Sequence, residues 1–476
     1  MMQRRKTSTV MLRDDTPPNI ADDNDWVCES KSQLVAYLES GCKPPSFFRL
    51  GVEQERFIFQ SSDYSPAVYD GPDTGIKALL KGMQEFGWRP AYEADQPIAL
   101  YRRDTSITLE PGGQFEFSGA PLMDAHQIFD ESQAYKDELG KLGERLGLSF
   151  LSLGHHPKHT QNELPMMPKQ RYGIMGSYMS KKGTLGLDMM KSTCSIQVNM
   201  DFSSEVDMVK KFRLSLALQP MVTALFANSP FAHGKPSGYF SYRSHIWQHT
   251  DNERCGGLPF VFEQGMGFER YTDYVLDVPM YFVLRNGKYI DARGLSFRDF
   301  LAGQLAVLPG QRPLLSDWAN HLSTVFPNVR LKKHFEMRGA DASGSSEHVA
   351  ALSALWAGLL YDSESMDAAW EIAGTWTREE LRILDIEVAR HGLSASFRKG
   401  TVQDICLWML DLSQQGLQRR NLKNQYGKDE SYYLTPLREA AQKGWTFAEQ
   451  LLLRYENEWH QDIDIAIHAM CRDTLI

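Results

Sequence analysis

An α+β fold is predicted by two observations. Strand-like segments at 50–60, 105–118, 148–154, 194–202 and 330–338 are separated by helical stretches of uneven length, without a regular β–α–β rhythm. After about Gly344 the chain reads as almost wholly helical.

Taken in order, the first residues, MMQRRKTSTVMLR, are basic and hydroxylated, but Asp14, Asp15, Asp22 and Asp23 follow and no apolar stretch precedes them. That is not a secretory signal, and residues 1–25 are expected to be a flexible tail. Ser32 to Glu39 has the spacing of an amphipathic helix stopped by Gly41. Ala125 to Leu146 and Glu205 to Asn228 are longer helices of the same kind. Further on, Thr377-Arg-Glu-Glu380 is a capping box: the threonine hydroxyl satisfies a free N–H while Glu380 reaches back. The helix it opens should run to His391 and stop at Gly392, and Thr446-Phe-Ala-Glu449 repeats the signature. Residues 26–476 are expected to form one large domain, with a sheet core to about 344 and a helix-rich part over 345–476.

Composition narrows the function. With 51 Lys and Arg against 60 Asp and Glu, the chain carries a formal charge of −9, which argues against nucleic acid as a partner. Apolar stretches such as Ala354 to Tyr361 are too short to span a bilayer. Six scattered cysteines, without CxxC or metal spacing, suit a reducing cytosol and a cytoplasmic protein. A monomer or homodimer is expected.

The informative feature is inverted alternation. Residues i and i+2 of a strand share a face. Glu53 and Glu55 share one in Leu50 to Phe57, and Gln114 and Glu116 share one backed by Phe115 and Phe117. Gln197, Asn199 and Asp201 oppose Ile196, Val198, Met200 and Phe202. Glu336 and Arg338 oppose Phe335 and Met337. A wet antiparallel face is the bland explanation of any one such strand. Solvent faces, however, carry Lys, Thr and Ser, and these carry Glu, Gln, Asn and Asp. Clustered carboxylates call for a cation, and oxygen-only ligands select Mg²⁺, with Mn²⁺ possible. Mg²⁺ held this way completes its shell with water and phosphates, which points to ATP. The chain has no GxxxxGK[ST], and Glu263 to Glu269 only imitates a dinucleotide loop, so metals and arginines would hold the nucleotide.

Glu110-Pro-Gly-Gly-Gln114 is the sharpest local motif. Pro111 and Gly112 are read as the second and third positions of a tight turn, with Gly112 taking φ > 0. The turn puts Glu110 and Gln114 at its ends, beside Glu116. His155, His156 and His159 around Pro157 read as a loop, not a metal site, and Cys194 as a packed thiol. Arg171-Tyr172 and Arg243 to Trp247 pair a cation with an aromatic ring, a pairing that serves packing more often than a ligand clamp.

In order along the chain, these segments resemble plant-type glutamate–cysteine ligase, a form shared with proteobacteria. The resemblance covers roughly Ser30 to Glu458 and is dense in LEPGGQFEFSGAPL (109–122), MPKQRYGIM (167–175), QVNMDFSSE (197–205), RSHIW (243–247) and EMRGAD (336–341). It implies a glutamine-synthetase-like carboxylate–amine ligase fold, a curved antiparallel sheet holding ATP, Mg²⁺ and L-glutamate on its concave face. The implied reaction joins L-glutamate and L-cysteine, with ATP cleaved to ADP and phosphate, in the first step of glutathione synthesis. Two departures stand out. The family's GTEHEK is Gly51-Val-Glu-Gln-Glu-Arg56 here, with both glutamates kept. The plant enzymes' redox cysteine pair falls on Ala292 and Val307, so that disulfide cannot form.

Activating a carboxylate for amide formation needs phosphorylation, with Mg²⁺ neutralising the transferring group. Glu53, Glu55, Glu110, Glu116 and Glu336 are assigned as metal ligands, and Arg338 as the γ-phosphate contact. By the resemblance, Arg171, with Tyr172 beside it, Arg243 and Trp247 clamp glutamate, while Gln197, Asn199 and Asp201 line the sheet near it. The alternatives are a ligase using another amine acceptor and a non-catalytic regulatory homologue; the second expects lost carboxylates, and none is lost.

Overall fold

The computed structural model describes residues 25–71 and 73–475, so the tail expected at 1–25 lies, but for Asp25, outside the described residues. The core is a curved antiparallel sheet of nine strands. They are β1 (Leu50–Gln60), β2 (Arg89–Glu93), β3 (Gln96–Arg102), β4 (Thr105–Leu109), β5 (Phe115–Ser118), β6 (Leu148–Leu151), β7 (Ser195–Met200), β8 (Val329–Leu331) and β9 (Phe335–Asp341). Their spatial order is β8-β9-β7-β1-β5-β4-β3-β2, with β6 on the second half of β1.

Alternation along β1 decides which side of the sheet is which. Val52 packs into the main apolar core, and Gln54 accepts a 3.2 Å hydrogen bond from Ser132 Oγ of the helix Ala125–Leu146. Arg56, on the same side, is buried with its guanidinium 5.6 Å from the Tyr135 ring of that helix. The helices Glu205–Leu225 and Ser346–Leu360 join the main core, where they meet Val198 and Met337. This side is dry because three long helices cover it. Glu53 and Glu55 therefore point to the other side, which only shorter segments cover.

Local chemistry explains the element boundaries. Asp124 caps the Ala125–Leu146 helix through Gln127 N at 2.9 Å, and Gly147 ends it at φ 64°. The capping box at Thr377 and Glu380 opens the helix Arg378–His391, and the one at Thr446 and Glu449 opens Phe447–Asn457. Among the described residues no helix is long and apolar enough to cross a membrane.

Two strand expectations are corrected, and one hairpin is added. The segment 105–118 is two strands joined by the Glu110–Gln114 turn, and 330–338 is a hairpin, because the chain reverses through residues 332–334. The hairpin of β2 and β3 was not expected; Pro90 and Pro97 interrupt its alternation, which an outer strand tolerates.

Candidate active site

The register assembles the polar face. Glu53 lies between Gln197 of β7 and Ser118 of β5, and Glu55 lies directly opposite Glu116. Asn199 is opposite Glu336, which is opposite Arg330. Glu53, Glu55, Glu116, Ser118, Gln197 and Arg330, together with the Glu110 turn, line a cleft of about 260 Å³, closed by Arg171, Tyr172, Trp247, Phe282, Phe326 and Arg338; Asn199 and Glu336 lie outside its lining. A larger chamber of about 700 Å³ shares Trp247, Phe326 and Arg338 with the cleft, is lined by Arg243, which the cleft is not, and extends to Arg382, Asp385 and Arg390.

The turn brings Glu110 to the cleft. Gly113 N donates to Glu110 O at 2.9 Å, and Glu110 N donates to Gln114 O at 2.9 Å. The residue with positive φ is Gly113 (90°), not Gly112 as expected. Gly112 is needed for a different reason: a Cβ there would lie 2.2 Å from the carbonyl oxygen of Lys191. Gln114, which also lines the cleft, donates to Met190 O and Thr193 O, at 3.2 and 3.0 Å, pinning the turn to that neighbouring segment.

Electrostatics divide the acids into two kinds. Burial, with Glu336 and Glu116 nearby, pushes Glu53 up to about 7. Burial, with Glu116 and Glu110, pushes Glu55 up to about 8, and Glu116 is raised for the same reasons. These carboxyls are kept close together with few cations to balance their charge, so each resists ionising. Glu336 is the opposite case. Burial pushes it up, but Arg330, Lys332 and Arg338 overcome that and hold it well below the usual carboxylate range. Arg338 also donates to Gln197 Oε1 at 2.7 Å. Lys169, buried under the turn, donates to Leu109 O at 2.8 Å, and burial pushes its ammonium down to about 7.

No three His, Cys, Asp or Glu side chains among the described residues converge as a ready-made metal cage. The residues nevertheless fit Mg²⁺. Such an ion is held by one or two carboxylates, with phosphate and water completing the shell, and Glu55 and Glu116, opposite each other, offer two. Cleft-lining groups also lack partners: Arg171 Nε and Trp247 Nε1 are buried without a hydrogen bond. Unpaired buried donors are costly, so a ligand with acceptor oxygens is the natural complement.

Most residues singled out from the sequence come together here. Asp201 does not. It follows the last residue of β7 and pairs with Lys43 Nζ and Arg49 N, both at 2.7 Å, so its place on the strand face is corrected. Asn199 stands at the edge, donating to Glu53 Oε1 at 3.1 Å. Sequence reading missed Arg330, which sits on a three-residue strand inside the unrecognised hairpin. It also missed Lys169, although MPKQRY places it two residues before Arg171. The His155–His159 loop is buried beside Phe57 and Phe59. Cys194 is fully buried.

An acid-lined cleft on one face of an antiparallel sheet, with arginines at its rim, is the architecture of a carboxylate–amine ligase. The model of glutamate–cysteine ligase family 2 matches residues 49–469, and the chain belongs to that family. It is 50% identical over 436 residues to a chloroplastic glutamate–cysteine ligase B of Oryza sativa subsp. japonica, covering 91% of this chain and 86% of that one. To the chloroplastic glutamate–cysteine ligase of Arabidopsis thaliana it is 48% identical, over 91% and 81%. A glutamate–cysteine ligase of Francisella tularensis, solved in complex with AMP, has the same fold, with a TM-score of 0.54, 12% identity, and coverage of 90% of this chain and 88% of that one. The cytoplasmic location expected from the cysteines is overturned by the chloroplastic relatives; scattered free thiols report a reducing environment and not a compartment.

Proposed function

We propose that this chain ligates L-cysteine to the γ-carboxylate of L-glutamate at the cost of ATP, forming γ-glutamylcysteine in the first step of glutathione synthesis. The observation that carries the reading is the facing pair Glu55 and Glu116, with Glu53 beside them, on a sheet face that ends in the Glu336–Arg338 pair. Membership of the family supports the reaction, and the cleft supports the roles. We treat 26–476 as one catalytic unit.

Glu53, Glu55, Glu110 and Glu116 would hold Mg²⁺, which when bound neutralises charge on the phosphates of ATP. Glu336 acts chiefly as an anchor, since three cations already claim it; it contributes to metal binding only by exchanging one of them. Arg338, fixed by Glu336 and Gln197, presents its guanidinium to the phosphoryl group as it passes to the glutamate γ-carboxylate. Arg171 and Arg243 take the α-carboxylate of glutamate, and Trp247 covers it. The acyl phosphate then meets the amine of cysteine, and phosphate leaves as the amide forms. The rim of Trp247, Phe282 and Phe326 shields that intermediate from water.

The test is ADP release with glutamate and ATP fixed and the acceptor varied among cysteine, alanine and polyamines. Cysteine-dependent turnover, with γ-glutamylcysteine identified by mass spectrometry, is expected. Turnover with another amine in preference would give a sister ligase, and nucleotide binding without turnover a regulatory homologue.

A further inference from the structure

Arg243 and Trp247 both ride on the short helix Tyr242–Gln248, only seven residues long, which cannot hold its own direction by length. Asp341, at the end of β9, is 1% exposed and lies beneath that helix. Its Oδ2 accepts from Ser229 Oγ at 2.6 Å and from Asn228 N at 2.9 Å, and its Oδ1 accepts from Ser241 Oγ at 2.9 Å. Each serine passes the restraint on. Ser229 Oγ accepts from Arg243 N at 3.2 Å, and Ser241 Oγ accepts from Ser244 N at 3.1 Å. The carboxylate also lies 3.9 Å from Arg243 Nη1, while Arg243 Nη2 donates to Arg338 O at 2.8 Å.

We propose that Asp341, with Ser229 and Ser241, is the positioning device that sets the glutamate clamp: it fixes the first turn of the helix and ties Arg243 to the strand that carries Arg338. The two serine hydroxyls both need an acceptor, and a carboxylate is the side chain that offers one to each at this spacing. The seat is built for that group. Gly154 lies against it so closely that a Cβ there would be 2.4 Å from Asp341 Cγ. A single buried carboxylate thereby sets three backbone N–H groups, that of Asn228 directly and those of Arg243 and Ser244 through the serines, and lies beside one guanidinium, so an error here would be read as misplaced glutamate.

This rests on the clamp assignment above. The test is Asp341→Asn, with Ser229→Ala and Ser241→Ala as milder variants. Asparagine keeps the shape but offers one acceptor oxygen where two are used. Expected are a rise of about tenfold in KM for glutamate for Asp341→Asn and about threefold for each serine variant, with kcat and the KM for ATP changed much less. Glutamate affinity measured by calorimetry, which needs no turnover, should weaken in parallel. If folded variants melt earlier but bind glutamate as tightly as the parent, the network is only structural and the proposal is overturned. Should Asp341→Asn not fold, the serine variants decide by the same criterion. A parent protein that binds glutamate yet never releases ADP would refute the ligase reading while leaving the anchor open to the same calorimetric test.

Discussion

Glu55 of β1 and Glu116 of β5 sit directly opposite one another across neighbouring strands, both in the buried cleft. Two like charges in that relationship repel and lose solvation, so burial and proximity together push both carboxyls up.

A pH signature follows. A carboxyl raised in the folded state, to about 8 for Glu55, withholds stability as pH rises past its unfolded value near 4.5. Lys169, pushed down to about 7, acts in the opposite sense over the upper part of that range. The quantity to follow is therefore the difference between the protein and Glu55→Gln, without metal. From pH 6.5 to 8.5 the variant should gain on the parent by on the order of 1–2 kcal/mol in urea denaturation. A difference that stays flat contradicts the repulsion.

Arg338 is held by Glu336 and by Gln197 Oε1 at 2.7 Å, and is 9% exposed. Arg338→Lys keeps the charge and loses the two-pronged geometry. A contact made in the transition state should cost about 2–4 kcal/mol in kcat, with glutamate and ATP affinities less affected. Kinetics and a melting curve on that variant separate the roles: a destabilised but fully active protein means Arg338 only quiets Glu336.

Gly112→Ala forces a methyl against the carbonyl of Lys191, where a Cβ would lie 2.2 Å away. Backbone cannot yield cheaply, so about 1–3 kcal/mol of stability should be lost and Glu110 displaced. Thermal melting and activity should fall together; an unchanged melting point would show that the turn and its neighbour are loosely docked.

Redox control should be absent in the plant manner. Ala292 and Val307 stand where that pair would be, and all six cysteines are free, five of them buried. At constant cysteine, dithiothreitol should leave activity unchanged; a several-fold loss on reduction, restored by oxidation, would implicate another thiol pair.

How much of this was legible in the sequence depended on which signals were local. β1 and the helix Ala125–Leu146 were readable to the residue, because strand alternation in one and helical periodicity in the other are written in neighbouring positions. The shared face of Glu53, Glu55 and Glu116 was readable for the same reason. Arg330 was not, since its place opposite Glu336 depends on a reversal at 332–334 that carries neither glycine nor proline. Asp201 was misplaced because the alternating pattern continues past Met200, where the hydrogen-bonded strand stops. The Asp341 network was invisible, because it joins residues about a hundred positions apart.

In the proposed reaction, the carboxylates on this sheet face hold divalent metal for the nucleotide. Electron paramagnetic resonance of Mn²⁺, titrated into the protein with a non-hydrolysable ATP analogue and into Glu116→Gln, tests it directly. Removing one buried charge from the facing pair should weaken Mn²⁺ binding by about tenfold or more while the variant melts no lower than the parent. Mn²⁺ bound to Glu116→Gln with the parent's affinity and stoichiometry would show that these carboxylates do not hold the metal.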